Sequence, residues 1–152
     1  MARTNAKAYI KGGPASPDIR GVVYFDDVYG GSMVTAHITG LPGFSRNGVP
    51  IGPHGFHLHI TGDCSEGSMN EPFPETGGHY NPEMRPHGDH AGDFPVLFSN
   101  SGEARMKFFT DRFKPGDIVG RSVVIHLSPD DYRTEPAGDS GIKAACGVVV
   151  KA

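Results

Sequence analysis

The chain has 152 residues, a formal net charge of −3 and a sequence pI near 6.2. A chain of this length forms about one domain, so residues 1–152 are expected to fold as a single unit. The weak negative charge argues against nucleic acid or an anionic membrane as the main partner, and no apolar run approaches the length of a membrane-spanning helix.

Short strand-like segments separated by turn clusters run along the whole chain. Gly and Pro are frequent, at 22 and 13 residues, and no stretch shows the 3.6-residue period of an amphipathic helix. Val34, Ala36 and Ile38 occupy alternate positions, which is the period of a half-buried strand. Strands are predicted at residues 7–11, 19–26, 32–39, 55–60, 94–98, 104–110, 119–126 and 147–151. Short strands with such turns predict an all-β sandwich or barrel.

Two segments, residues 61–93 and 127–145, are too long and irregular to be plain connections between strands. Within the first, Gly and Pro residues that exclude a regular helix or a central strand separate a group of potential ligands. These ligands are His79, His87, His90 and Asp93. Imidazole and carboxylate groups at short spacing, on a loop that can fold back on itself, suit a divalent transition metal. The alternative is a solvated surface loop that happens to contain histidines.

Further histidines lie in two of the predicted strands and weaken that alternative. His57 and His59 are two positions apart, so both project to one face of a strand, about 7 Å apart, and both can reach one metal ion. His126 ends the apolar run 123–125, and Asp130 follows closely enough to orient a ligand through its other ring nitrogen. Each histidine taken singly is more simply an ordinary strand residue, but together they favour a metal centre.

The two cysteines, Cys64 and Cys146, leave two interpretations open. In a reducing compartment both are expected to be free thiols. A disulfide between them would close a long loop and stabilise the fold by roughly 4 to 5 kcal/mol. The N-terminal residues 1–7 run into the first strand without an apolar signal core, so the protein is expected to be cytoplasmic.

Five segments together resemble the copper–zinc superoxide dismutase family, and the resemblance spans nearly the whole chain. They are HGFHLHITGDC (54–64), GGHYNP (77–82), HAGDFP (90–95), GRSVVIH (120–126) and AGDSGIKAACGVV (137–149). The resemblance implies an eight-stranded Greek-key β-barrel of immunoglobulin-like architecture, with a copper site and a zinc site outside it. It also implies one copper and one zinc ion per subunit and a homodimer.

The resemblance carries roles over to single residues. The implied copper ligands are His57, His59, His79 and His126. The implied zinc ligands are His79, His87, His90 and Asp93, so that His79 bridges both metals. Asp130 would link a copper ligand to a zinc ligand, and Cys64 and Cys146 would form the disulfide that the family keeps even in cytosolic members. Lys143 falls where the family usually has an arginine that attracts and positions superoxide beside the copper.

The expected function is therefore superoxide disproportionation to oxygen and hydrogen peroxide, by copper redox cycling with His79 as the zinc-bridged histidine that delivers a proton. The alternative is a non-enzymatic, dismutase-like copper chaperone or metal-buffering domain. Such relatives usually lack part of the copper set or add a Cys-x-Cys segment, whereas this chain has the complete ligand set and two cysteines. The sequence thus favours the enzyme, with superoxide as its small-molecule partner.

Overall fold

Antiparallel strands account for most of the regular structure in this protein. The computed structural model describes residues 3–43, 45–50 and 52–152. The strands are β1 (Arg3–Gly12), β2 (Arg20–Val28), β3 (Gly31–Thr39), β4 (Ser45–Arg46), β5 (Val49–Pro50), β6 (Phe56–His59), β7 (Ala104–Thr110), β8 (Ser122–His126) and β9 (Lys143–Lys151). Two short 3₁₀ turns, Pro74–Thr76 and Pro115–Asp117, are the helical elements of these ranges. Neither they nor any other helix in the described residues is long and apolar enough to cross a membrane.

Seven of the strands form a single antiparallel sheet in the order β6-β8-β9-β1-β2-β3-β7. The first three strands follow one another as hairpins, but the chain then crosses from β3 to β6 at the opposite edge. It crosses back to β7 and returns once more to β8. Hairpins combined with such long crossings are a Greek-key arrangement. The predicted all-β Greek-key architecture is confirmed.

Alternating burial along the strands builds the core. Val34, Ala36 and Ile38 of β3 are fully buried, as their spacing predicted. In β6 and β8 every residue is buried, so these strands are covered on both faces. Phe56 and Leu58 of β6 point into the hydrophobic core, which leaves the neighbouring histidines on the outer face beneath the long loops. The edge of the sheet formed by β6 and β8 therefore positions the candidate site.

The strand predicted at residues 94–98 is not a regular strand, and the sheet has seven strands where eight were predicted. This segment lies along β6 but makes only scattered bonds. Leu97 and His54 exchange a pair of N–H to carbonyl bonds at 2.8 and 2.9 Å, and Phe94 N donates to Phe56 O at 3.2 Å. Pro95 has no N–H group to donate to a ladder, which explains the interruption. Phe94 still packs against Phe56 with ring centroids 5.0 Å apart, so the segment contributes to the core.

A disulfide joins Cys64 to Cys146, with 5.7 Å between their Cα atoms. The pairing implied by the family resemblance is therefore confirmed, and the interpretation as two free thiols is wrong. The bond packs against Phe73 and Val124 in a small apolar cluster apart from the main core. It fastens the irregular segment that follows β6 to strand β9.

Candidate metal centre

The outer face of β6 and β8 brings three imidazoles together. His57 and His59 alternate along β6, and the pairing of Phe56 with Ile125 places His126 on the same face at the end of β8. The ring centroids of His57 and His126 are 4.8 Å apart, and those of His59 and His126 are 5.5 Å apart. His79, in the loop after β6, stacks on His57 with 4.0 Å between centroids. One nitrogen from each of these four rings lies within 4.8 Å of the others.

Hydrogen bonds fix which nitrogen of each ring faces the centre of this cluster. His59 Nδ1 donates to the Gly77 carbonyl at 2.8 Å, and His126 Nδ1 donates to the Gly141 carbonyl at 3.0 Å. The remaining Nε2 atoms of these two rings face each other at 3.4 Å. The His57 ring has the opposite orientation. Its Nε2 donates a hydrogen bond to the Asp130 carboxylate, so its Nδ1 faces the centre of the cluster.

Two buried nitrogens of this cluster, His57 Nδ1 and His79 Nε2, have no hydrogen-bond partner among the described residues. A buried polar atom without a partner is costly, so a group that binds these nitrogens should occupy the space between them. Four imidazoles suit copper in either oxidation state, and the donor set of this cluster therefore fits copper.

A second cluster lies on the other side of His79. His79 Nδ1 is 3.0 Å from Asp93 Oδ1 and 3.2 Å from His90 Nδ1. His87 Nδ1 is 3.4 Å from the same Asp93 oxygen. Asp93 Oδ2 also accepts bonds from the backbone N–H groups of Gly88 and His90, which folds the loop around the carboxylate. Three imidazoles and one carboxylate are a typical ligand set for zinc. His79 belongs to both clusters, one ring nitrogen to each.

Asp130 connects the two clusters from behind. Its Oδ2 accepts a 2.6 Å bond from His57 Nε2, and its Oδ1 accepts a 2.8 Å bond from His87 Nε2. Gly138 leaves room for this contact, because a Cβ at that position would lie 1.8 Å from Asp130 Oδ1. Its φ of +67° is also a conformation that favours glycine. A carboxylate so placed fixes the orientation of both rings and raises their basicity as ligands.

Other residues that hold the loop were not predicted from the sequence. Glu135 accepts the backbone N–H of His87 at 2.7 Å, and the Tyr132 ring lies parallel to the His87 ring. Arg112 donates to the His90 carbonyl at 2.7 Å and to Asp89 at 3.0 Å. For Tyr132 and Glu135 the available signal was their place in the long segment 127–145. For Arg112 the sequence carried no signal, because its contact joins residues far apart in the chain.

Lys143 opens β9 and is the register partner of His126 on β8. Its Nζ donates to Thr76 Oγ1 at 2.7 Å and lies 3.3 Å from the Phe73 carbonyl. The side chain is half-buried, and this burial lowers its pKa. The structure thus places the predicted cation next to the strand end that carries His126. Arg133, a second cation in the segment 127–145, is exposed.

Three imidazoles of the first cluster, those of His57, His59 and His126, are neutral at ordinary pH. Burial lowers the pKa of His126 to about 4. Burial, reinforced by the neighbouring imidazoles, also lowers the pKa values of His57 and His59 well below the usual range. Because a histidine binds metal through a neutral ring, these three rings are already in their ligand form near pH 7.

We expect the metal-free protein to lose stability as the pH falls from about 7 towards 4. Its unfolded chain takes up protons on His57, His59 and His126 near pH 6.5, whereas the folded chain binds them only at lower pH. The unfolded state then binds more protons over this range, so the free energy of unfolding decreases with falling pH. Urea unfolding of metal-free protein at a series of pH values measures the slope. A constant free energy of unfolding between about pH 7 and 4.5 would contradict the expectation.

Comparisons with known proteins agree with this geometry. Residues 19–149 match the family described as Copper/zinc superoxide dismutase (SODC). A superoxide dismutase [Cu-Zn] of Deinococcus radiodurans is 35% identical over 142 residues, covering 75% of this chain and 78% of the relative. One from Legionella pneumophila is 36% identical over 137 residues, covering 85% of this chain and 76% of the relative.

A solved structure also resembles the fold. The Cu/Zn superoxide dismutase from Brucella abortus superposes with a TM-score of 0.76 at 26% sequence identity, over 94% of this chain and 98% of that protein. The family match covers most of the chain, and both clusters lie within it. The chain therefore belongs to the copper/zinc superoxide dismutase family, and the oxidoreductase class expected from the sequence is confirmed.

Proposed function

We propose that this protein disproportionates superoxide with one copper and one zinc ion bound to each chain. Two superoxide anions and two protons give one oxygen molecule and one hydrogen peroxide molecule. His57, His59, His79 and His126 would hold copper, and His79, His87, His90 and Asp93 would hold zinc. The observation that carries the proposal is the pair of four-ligand clusters that share His79.

Copper bound by the four imidazoles would supply one-electron redox chemistry, and zinc would supply a fixed positive charge without redox chemistry. The protein keeps three of the inner nitrogens neutral and oriented. His59 and His126 are held by carbonyl groups, and His57 is held by Asp130. Because these three rings are fixed, a change of oxidation state would not require the sheet to rearrange.

His79 is the residue able to move a proton within the site. Its Nδ1 is fixed against Asp93, while its Nε2 faces the cluster and has no hydrogen-bond partner within the protein. In the proposed cycle Nε2 would hold copper in one half of the cycle and a proton in the other, and it would deliver that proton to the reduced substrate. Lys143 supplies the positive charge that the substrate anion needs, because the net charge of −3 repels it overall.

The test of this proposal combines metal analysis with an activity assay. Protein loaded with both metals should contain one copper and one zinc ion per chain and should inhibit the reduction of cytochrome c by superoxide. Zinc-only protein should be inactive in the same assay. A protein that binds both metals fully but leaves cytochrome c reduction unchanged would be a metal-buffering or chaperone-like domain instead.

We also propose that the protein is a homodimer, as its family resemblance implies, and that it is located in the cytoplasm. Exposed apolar side chains support an association surface: Ile60 and Met69 are 50% and 62% exposed. Sedimentation velocity at micromolar concentration tests the dimer, and a monomer across that range would contradict it. Fractionation of cells that produce the natural protein tests the location, and recovery outside the cytoplasm would contradict that part.

Replacing Asp130 with Asn is expected to weaken zinc binding by about ten- to a hundredfold, the range typical of residues that support metal ligands. An amide oxygen can accept from one histidine, but the amide NH₂ then faces the N–H of the other. Competition with a chromophoric chelator measures the zinc affinity. Asp131→Asn is the matched control, because this exposed carboxylate accepts from Arg133 and Thr134 in its own loop. Equal effects of the two substitutions would contradict the assigned role of Asp130.

A further inference from the structure

Thr76 is a buried residue with a hydroxyl group committed to two contacts. It ends the 3₁₀ turn Pro74–Thr76 and has no solvent exposure. Its Oγ1 donates to the Phe73 carbonyl at 3.2 Å and accepts a bond from Lys143 Nζ at 2.7 Å. The shortest polar contact of the Lys143 ammonium is therefore with a side chain that belongs to neither metal cluster.

A lysine needs such contacts more than an arginine does. An ammonium is a point charge on a flexible stem, whereas a guanidinium is a rigid planar fork. Lys143 has three N–H donors, and two of them find acceptors in Thr76 Oγ1 and the Phe73 carbonyl. One N–H remains for another acceptor.

Neighbouring residues determine where the Lys143 ammonium is held. Phe73 packs against the Cys64–Cys146 disulfide, so the carbonyl acceptor is itself fixed. The carboxylate of Glu71, in the same segment, also attracts Lys143. Without the Thr76 hydroxyl, the ammonium would lose its closest neutral acceptor and could turn towards this acid and away from β8.

We propose that Thr76 is a positioning residue for the substrate anion. Its hydroxyl, together with the Phe73 carbonyl, holds two N–H groups of Lys143 and directs the third towards a small monoanion beside His126. This inference rests on the proposed function, because it assumes that Lys143 faces the superoxide that reacts there. In this proposal Thr76 acts through Lys143 and is not itself a member of either metal cluster.

The decisive variants are Thr76→Val, which keeps the shape and removes the hydroxyl, and Thr76→Ser, which keeps the hydroxyl. In protein loaded with both metals, Thr76→Val is expected to lower kcat/KM about fivefold and to weaken azide binding by a similar factor. Azide serves as an unreactive small monoanion, and its affinity is measured by absorbance titration. Thr76→Ser should stay within about twofold of the wild type in both measurements. Thr76→Ala provides a second hydroxyl-free variant where Val does not fit.

A further comparison separates positioning from loop damage. In a Lys143→Met background, Thr76→Val should change neither kcat/KM nor azide affinity, because the group that it positions is gone. In zinc-only, copper-free protein, Thr76→Val should also remove the slow hydrogen exchange of the Lys143 ammonium measured by ¹⁵N NMR. An equal loss in the wild-type and Lys143→Met backgrounds would overturn the inference, as would wild-type values for Thr76→Val. Either result would be compatible with superoxide dismutase activity of the protein. An inactive wild type with both metals bound would instead contradict the proposed function.

Discussion

Removal of the Cys64–Cys146 disulfide is expected to lower the free energy of unfolding by about 4 to 5 kcal/mol. The bond joins residues 82 positions apart, and a loop of that length carries a large entropy in the unfolded chain once the bond is opened. The native contacts around the bond are apolar and involve Phe73 and Val124. We therefore expect the folded structure to persist without the disulfide, and the main effect to be a higher conformational entropy of the unfolded chain.

Urea unfolding of metal-free protein with and without reductant measures this loss. The Cys64→Ser variant is the control, because its stability should match that of the reduced protein and should not respond to reductant. Reduction should also speed hydrogen exchange at the backbone N–H groups of Thr61 and Phe73, which bond across the segment that the disulfide fastens. A change smaller than about 1 kcal/mol would show that contacts other than the disulfide restrain the unfolded chain.

The parts of the fold that follow from local pattern were predictable from the sequence. The alternation in β3 identified both the strand and its buried face, and the structure confirms both. The start of β9 at Lys143, and not at residue 147, was not predictable in this way. It depends on the pairing with β8, where His126 faces Lys143. Pairing with a distant strand leaves no periodic signal in the segment itself.

The short hairpin of β4 and β5, which is not among the predicted strands, carries a local sequence signal. Asn47 and Gly48 lie between the two strands with φ angles of 52° and 77°. Positive φ at both central residues is the geometry for which Asn-Gly is preferred in two-residue hairpin turns. Pro95 carries a signal against a strand. Because proline cannot donate to a strand ladder, its presence indicated that residues 94–98 would not form a regular strand.

The metal centre was predictable only in part. The spacing of His57 and His59 already placed both rings on one face, but the approach of His126 and His79 required the sheet order and the loop path. The family resemblance supplied that missing information. The supporting contacts of Thr76, Glu135 and Arg112 depend on individual loop conformations, and neither periodicity nor motif could reveal them.

Replacing Lys143 with Glu is expected to lower kcat/KM about a hundredfold at low salt. Local charge at a cleft changes the association rate of a charged substrate by roughly 10- to 1000-fold, and superoxide dismutases are themselves a known example of such steering. Lys143 is half-buried beside the strand end that carries His126, so its charge is poorly screened by water. Lys143→Arg should change kcat/KM less than about tenfold, because a small monoanion needs the charge more than a planar fork.

Arg133→Glu is the matched control, because it changes the net charge by the same amount at an exposed position in the neighbouring loop. Its effect should be much smaller than that of Lys143→Glu if local charge, and not net charge, guides the substrate. The wild-type rate should also fall as ionic strength rises from about 0.01 to 0.1 M, where the Debye length shrinks from about 30 to 10 Å. The Lys143→Glu variant should lose most of this salt dependence. If that variant kept the wild-type rate at low salt while Arg133→Glu did not, Arg133 would be the guiding cation.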